Sequence, residues 1–284
     1  MVSGGGRGAS VRDALGAATD ALAAVGIDTP RIDAEVLLAG ITGRSPADLI
    51  ADRDGQISPA DSRAFSEAVR RRLRREPVAY ILGRKGFRHI ELAVDRRVLV
   101  PRPETELLVE LALEEQPESV LELGTGSGAV ALAIADELPG CEVTAGDVSA
   151  DALEVAAANA GRLGLSGRVR FFGGTWPSPG AFDLIVANLP YVALGDEVSP
   201  DVRDWEPSGA LFPGETGLEC FQQVLGSLPD SGIEAPVIAL EIGHGQGEAV
   251  SELVRGAGFT RTAIHPDLAG LERVVTGRRQ ATSA

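Results

Sequence analysis

The chain has 284 residues, enough for one large domain or two ordinary ones. Hydrophobic residues make up 44% and charged residues 24%, so a sizeable core is available and wholesale disorder is excluded. A formal net charge of -15 argues against a protein whose main partner is a nucleic-acid backbone, because that binding rests on neutralising phosphates with Lys and Arg. The two cysteines, Cys141 and Cys220, form no CxxC pair, and the three histidines are scattered singly, so neither a disulfide framework nor a metal site is expected. The N-terminus "MVSGGGRGAS" lacks the apolar segment of a secretion signal, and no stretch of about 20 apolar residues follows. A cytoplasmic location is expected.

The Gly-rich residues 1–8 read as an unstructured tail. Ser10 with Asp13 starts a helix in which Val11, Leu15, Ala18, Leu22 and Val25 share one face, closed by Gly26. The tetrapeptide Ser-Pro-Ala-Asp occurs at 45–48 and again at 58–61, each copy offering an N-cap Ser, a Pro at the first helical position and an Asp against the helix N-terminus. These starts predict a helical bundle over residues 1–76. The run "RRRLRRE" (70–76) reads either as a solvated helix face or as a local basic patch.

Residues 77–100 change character, with short β-branched and aromatic runs "VAYILG" and "IELAVDRRVLV" divided by Gly83 and Gly86, and predict a β-hairpin connector. After "PRPETE" (101–106), helical spacing returns at Leu107, Leu108, Leu111 and Ala112. Strand-like and helix-like segments then alternate to the end of the chain, closing with two strands. That alternation predicts an α/β domain over 101–284 with a mostly parallel sheet covered by helices on both faces.

"VLELGTGSGAVALAIA" (120–135) places Gly124, Gly126 and Gly128 between a strand and a helix, where glycine permits a tight turn and a close ligand. Alone, this loop also fits the fingerprint of a dinucleotide-binding dehydrogenase. Asp147 ends the next strand, placed to accept hydrogen bonds from two ribose hydroxyls, which suits either nucleoside cofactor. Glu122 and the GxGxG form favour a sulfonium nucleoside, since no pyrophosphate needs a cradle. The deciding stretch is "DLIVANLPYV" (183–192), an apolar run stopped by Asn188-Leu189-Pro190-Tyr191, which has no role in hydride transfer.

The glycine loop followed by Asn188-x-Pro190-Tyr191 resembles a class I methyltransferase that uses S-adenosylmethionine on a planar nitrogen. With "REPVAYILGRKGF", "VLVPRPETELLVE" and "DLAGLERVVTG", the chain from 30 to about 277 is similar to the PrmC/HemK family, which methylates the glutamine side chain in the Gly-Gly-Gln loop of peptide chain release factors. The resemblance implies a class I (Rossmann-like) methyltransferase with a seven-stranded sheet, and a helical domain that docks the protein substrate. It implies cofactor contacts at Gly124, Thr125, Gly126, Ser127, Gly128, Asp147, Trp176 and Asn188. Substrate contacts would come from Phe87, Asn188, Leu189, Pro190 and Tyr191, with Asn188 and Tyr191 catalytic. The loop "WEPSGALFPGETGLE" (205–219) would lie beside the site, with Glu206 structural. The family usually carries Pro at the position of Leu189 and Phe-x-Gly-x-x-Phe in the connector. A glutamine of a ribosomal protein, the N6 of a flipped adenine, or a cofactor-binding protein without catalysis stand as alternatives.

Overall fold

The computed structural model describes residues 9–280, so the expected tail at 1–8 lies outside the described residues. Helices α1 (Val11–Ala24), α2 (Pro30–Thr42), α3 (Pro46–Ala51), α4 (Pro59–Leu73) and α5 (Val78–Leu82) form one compact unit, which also takes in the distant segment Ser199–Trp205. Ser10, Ser45 and Ser58 each accept the backbone N–H three residues on, at 3.1 Å. Of the three, Ser45 completes the capping box, where the Asp48 carboxylate accepts the Ser45 N–H at 3.2 Å. Val11, Leu22, Leu37, Leu38, Leu49 and Phe65 fill the core between these helices.

Two expectations about this region are corrected. Residues 78–82, read as a strand, form α5: Pro77 precedes the first turn, and Gly83 closes it with φ of 69°, a left-handed conformation that suits glycine. A five-residue apolar run carries too little periodicity to separate a buried helical turn from a strand. The hairpin is confined to β1 (Arg84–Phe87) and β2 (Ile90–Ala93).

The arginine run is a solvated face only in part: Arg70 and Arg74 are exposed, whereas Arg71, Arg72 and Arg75 are engaged by acids. Arg72 is 5% exposed and donates through Nε to Asp33 at 2.6 Å, through Nη2 to Asp201, and through Nη1 to the Glu76 carbonyl at 3.2 Å. Arg71 pairs with Glu76, and Arg75 with Asp201 at 3.3 Å. Acids from three separate stretches of chain thus converge on α4.

In the second unit the chain alternates through α6 (Glu106–Glu115), β3 (Ser119–Leu123), α7 (Ala129–Glu137), β4 (Glu142–Asp147), α8 (Ala150–Leu163), β5 (Val169–Gly173), β6 (Gly180–Ala181) and β7 (Leu184–Asn188). It then passes through Ser199–Trp205, with the single turn α9 (Pro200–Arg203), and returns as α10 (Glu219–Ser227), β8 (Ile233–Glu234), β9 (Val237–Glu241), α11 (Gly247–Gly256), β10 (Arg261–Pro266) and β11 (Glu272–Arg278). Seven strands make one sheet in the order β10-β11-β9-β7-β3-β4-β5, parallel except for β11, which runs against both neighbours. β6 and β8 form a separate short pair. β3, β7 and β9 are buried along almost their whole length because helices cover both faces of the middle of the sheet. Among the described residues no helix is long and apolar enough to cross a membrane, and no cluster of His, Cys, Asp and Glu could hold a metal ion.

Removing Arg72 would leave Asp33 buried without its counter-charge, a loss of roughly 3–5 kcal/mol for a broken buried pair. Arg72→Ala is therefore expected to lower the urea midpoint of the full chain strongly, whereas Arg70→Ala, which removes an exposed pair with Glu67, should shift it little.

Candidate active site

The glycine turn is tied to its neighbouring strand before any ligand is considered. Gly124 N–H and Thr125 N–H both donate to the Gly146 carbonyl at 2.9 Å, which pins the end of β3 against β4. Gly124, Gly126 and Gly128 have φ of 75°, 56° and 84°, where a side chain costs roughly 1–2 kcal/mol per residue. A Cβ on Gly124 would also stand 3.3 Å from the Asn188 carbonyl oxygen, and one on Gly128 only 2.8 Å from Leu132. Around Gly126 the space is open.

Asp147, at the end of β4, accepts Gly126 N–H on one carboxylate oxygen and Ser149 N–H on the other, each at 2.9 Å. Each oxygen keeps a second lone pair for a ligand hydroxyl. Val148 beside it is 80% exposed, an apolar face next to a polar anchor. Gly124, Gly126, Asp147, Val148, Asn188, Leu189 and Pro190 line one cleft of about 440 Å³.

The strand tips place Asn188 in that cleft. Its Nδ2 donates to Thr105 Oγ1 at 3.1 Å, so the amide nitrogen is held and Oδ1 is left as an acceptor. Thr105 comes from the 3-10 turn Pro103–Thr105, inside the "PRPETE" stretch. Pro190 joins Asn188 in the lining, while Leu189 is 7% exposed and packs into the core formed by β3, β7, β9 and α10.

The remaining expected site residues do not line this cleft. Thr125 and Ser127 are buried: Thr125 Oγ1 donates to Glu122 at 2.6 Å, and the Ser127 carbonyl accepts Asn159 Nδ2 at 2.9 Å. These two support the turn from behind, and Gly128 starts α7. Trp176 turns its indole N–H to Ser227 Oγ at 2.9 Å and packs on the core, leaving Gly174 and Thr175 to line the cleft. Phe87 is 2% exposed and does not reach the cleft, since the β1–β2 register turns its ring inward with Ile90 and Leu92. Tyr191 is half-buried, with its hydroxyl 3.4 Å from Glu241 Oε1. Burial raises the pKa of its phenol, and the facing Glu241 raises it further, so the hydroxyl keeps its proton. Glu206 is structural as expected: it accepts Val100 N–H at 3.0 Å and pairs with Arg102.

Three polar residues were missed by sequence reasoning. Asn159, buried in α8, clasps Ala93 through both its N–H and its carbonyl, at 2.7 Å and 3.0 Å. Thr105 holds Asn188, and Glu241 ends the otherwise apolar "VIALE" strand at 1% exposure. A lone acid closing a wholly buried strand was the readable signal, because a buried charge is costly without a purpose or a partner.

Fold and site together define a class I methyltransferase: seven strands in this order, a glycine turn after the first parallel strand, an acid after the second and an Asn-x-Pro-Tyr tip on the fourth. Residues 13–83 match the PrmC N-terminal domain and 103–203 the methyltransferase small domain. A release factor glutamine methyltransferase of Cereibacter sphaeroides is 40% identical over 95% of this chain and 98% of its own. One of Bordetella pertussis is 42% identical over 87% of this chain and 94% of its own. The chain belongs to the release factor glutamine methyltransferase family. Of solved structures, the hMettl16 catalytic domain in complex with MAT2A 3′UTR hairpin 6 superposes with a TM-score of 0.56, covering 87% of this chain and 94% of that one at 13% identity, a likeness of fold.

Glu122, behind the turn, is held by Thr125, yet burial pushes its pKa up to about 7 from 4.5, with Asp147 adding to the rise. The folded state therefore binds this proton more tightly than the unfolded chain. The contribution of Glu122 to stability falls as pH rises from about 4.5 to about 7 and is level above. Glu122→Gln, which keeps an acceptor for Thr125, should gain stability relative to wild type between pH 5 and pH 8, read by urea unfolding at both.

Proposed function

We propose that the chain methylates, in the cytoplasm, the side-chain amide nitrogen of the glutamine in the Gly-Gly-Gln loop of peptide chain release factors, using S-adenosylmethionine. The observation that carries this reading is the meeting of Asn188 with the glycine turn and Asp147 in one cleft. The residues present fit the cofactor: a cradle of left-handed glycines, two carboxylate lone pairs on Asp147 for ribose hydroxyls, and Val148 as an apolar face for a base. When bound, it supplies an electrophilic methyl group on a sulfonium.

What this chain supplies is position. An amide nitrogen is a weak nucleophile because its lone pair is delocalised, and it is too weak an acid for a general base to help at neutral pH. Asn188 Oδ1 and the Leu189 carbonyl accept its two hydrogens and orient the lone pair, so orientation is the main contribution to the rate. As positive charge grows on nitrogen, the same acceptors stabilise it more than they stabilise the ground state. Tyr191 contributes its ring beside the planar group, its hydroxyl being engaged with Glu241. The helical unit docks the release factor, and Ile32 and Val36, one turn apart and exposed on α2, offer it an apolar surface.

The test is transfer of labelled methyl to release factor, to its loop variant with Gln replaced by Ala, to ribosomes and to DNA. Label that followed DNA, or that ignored loss of the loop glutamine, would remove the reading. Asn188→Ala should lower transfer about a hundredfold or more with cofactor affinity largely kept. Asp147→Ala should weaken cofactor binding by roughly 1.5–3 kcal/mol per lost ribose bond at most, read by calorimetry. Leu189→Pro should change the rate by no more than a few-fold, since the carbonyl remains. Its cost should fall on thermal stability, because the buried leucine side chain is lost.

A further inference from the structure

Asn188 can act as an acceptor only if its oxygen, and not its NH2, faces the cleft. The residues that decide this lie behind it. Glu241 is the register partner of Asn188 at the end of β9. Its Oε1 lies 3.4 Å from the Tyr191 hydroxyl, and its Oε2 is buried with no hydrogen-bond partner. Thr105, also buried, accepts from Asn188 Nδ2 at 3.1 Å, and its hydroxyl is among the groups that lower the Glu241 pKa, which sets it between the amide and the carboxyl.

A threonine hydroxyl has one proton to give. Directed at Glu241, that proton leaves Thr105 Oγ1 as an acceptor, and the group Asn188 can offer an acceptor is its NH2. Oδ1 then faces the cleft. If Glu241 instead carries a proton and donates it to Thr105 Oγ1, the Thr105 proton is free for Asn188 Oδ1, and the amide turns over. Its NH2 would then meet the NH2 of a substrate amide, donor against donor.

We propose that Thr105 and Glu241 are positioning residues that select which end of the Asn188 amide faces the cleft. The consequence for rate rests on the methyl-transfer reading, while the orientation itself does not. Glu241 is placed to titrate near neutrality: burial pushes it up to about 7, Glu104 on the 3-10 turn adds to this, and the hydroxyls of Thr105 and Tyr191 with Arg273 of β11 pull it back. Above that pH the carboxylate accepts from Thr105 and Asn188 presents oxygen. Below it the relay reverses.

Oxygen and nitrogen of an amide scatter X-rays almost alike, so the readout is the Asn188 side-chain NH2 resonance of the 15N-labelled full chain, identified by its loss in Asn188→Ala. It should shift between pH 8.5 and pH 6 in wild type and in Thr105→Ser, and stay constant in Glu241→Gln and Thr105→Val. For transfer to release factor, kcat should fall about tenfold per pH unit below the Glu241 titration. Thr105→Ser should stay within about threefold of wild type, and Thr105→Val should lose at least about tenfold in kcat with the KM for S-adenosylmethionine unchanged. Glu241→Gln should be slow and free of the acid limb. A wild-type resonance that does not move over this range overturns the proposal whether or not any variant folds, and so does a Thr105→Val enzyme with wild-type kcat. A wild-type chain that methylates no release factor but shows the titration would sink the substrate reading and support this one.

Discussion

Parallel pairing of β7 with β3 on one side and β9 on the other, held in register to the strand tips, is the constraint on which the site depends. Leu123 stands beside both Gly146 and Ala187, and Asn188 beside Glu241, so the chains leaving four strands depart at one level. The double hydrogen bond from Gly124 and Thr125 onto Gly146 fixes the first of these exits to the second. A glycine cradle, an acid and an amide far apart in sequence are thereby set around one cleft without any loop having to find them. Strands buried on both faces have little freedom to shift, which suits a reaction governed by orientation.

The same burial makes the polar groups at the tips expensive. Thr125 answers Glu122, Asn159 answers Ser127 and the backbone of Ala93, and Thr105 answers Asn188. Each of these is a short side chain on a neighbouring element, reaching back to a group that faces the cleft or supports its wall. Glu241 is the least satisfied member, with one oxygen unpaired. An acceptor left free in so dry a place is costly as a carboxylate, which is why burial pushes the pKa of Glu241 up to about 7.

The sheet was legible because strand-like and helix-like segments alternate between glycine turns, and because Gly124, Asp147 and Asn188 each stand at the end of a strand. What a side chain faces was not legible. Trp176 and Phe87 are aromatic residues near the site in sequence, but the packing of α10 against the core draws the indole to Ser227, and the hairpin register turns the phenyl ring inward. The arginine run misled for the same reason: the acids that bury Arg72 come from Asp33 and Asp201, at sequence distances that local charge patterning does not see. Nor does the position of Leu189 after Asn188 reveal that its side chain belongs to the core. Residues 78–82 were too short for their period to speak.

Because Ser199–Trp205 belongs to the helical unit, the chain crosses between the two units at Gly83–Arg84, at Val198–Ser199 and again at Trp205–Glu206. The helical unit is therefore discontinuous, and no single backbone cut can release it whole. Cleaved between 83 and 84, it would stay attached through the ion pairs of Arg72 and Arg75 with Asp201 and through the Trp205 indole on the Arg74 carbonyl. A fragment ending at residue 83 would carry Arg72 without one of its two acids. The division that looks natural along the sequence cuts through a folded module, and the two parts of this protein are interleaved along the chain instead of following one another.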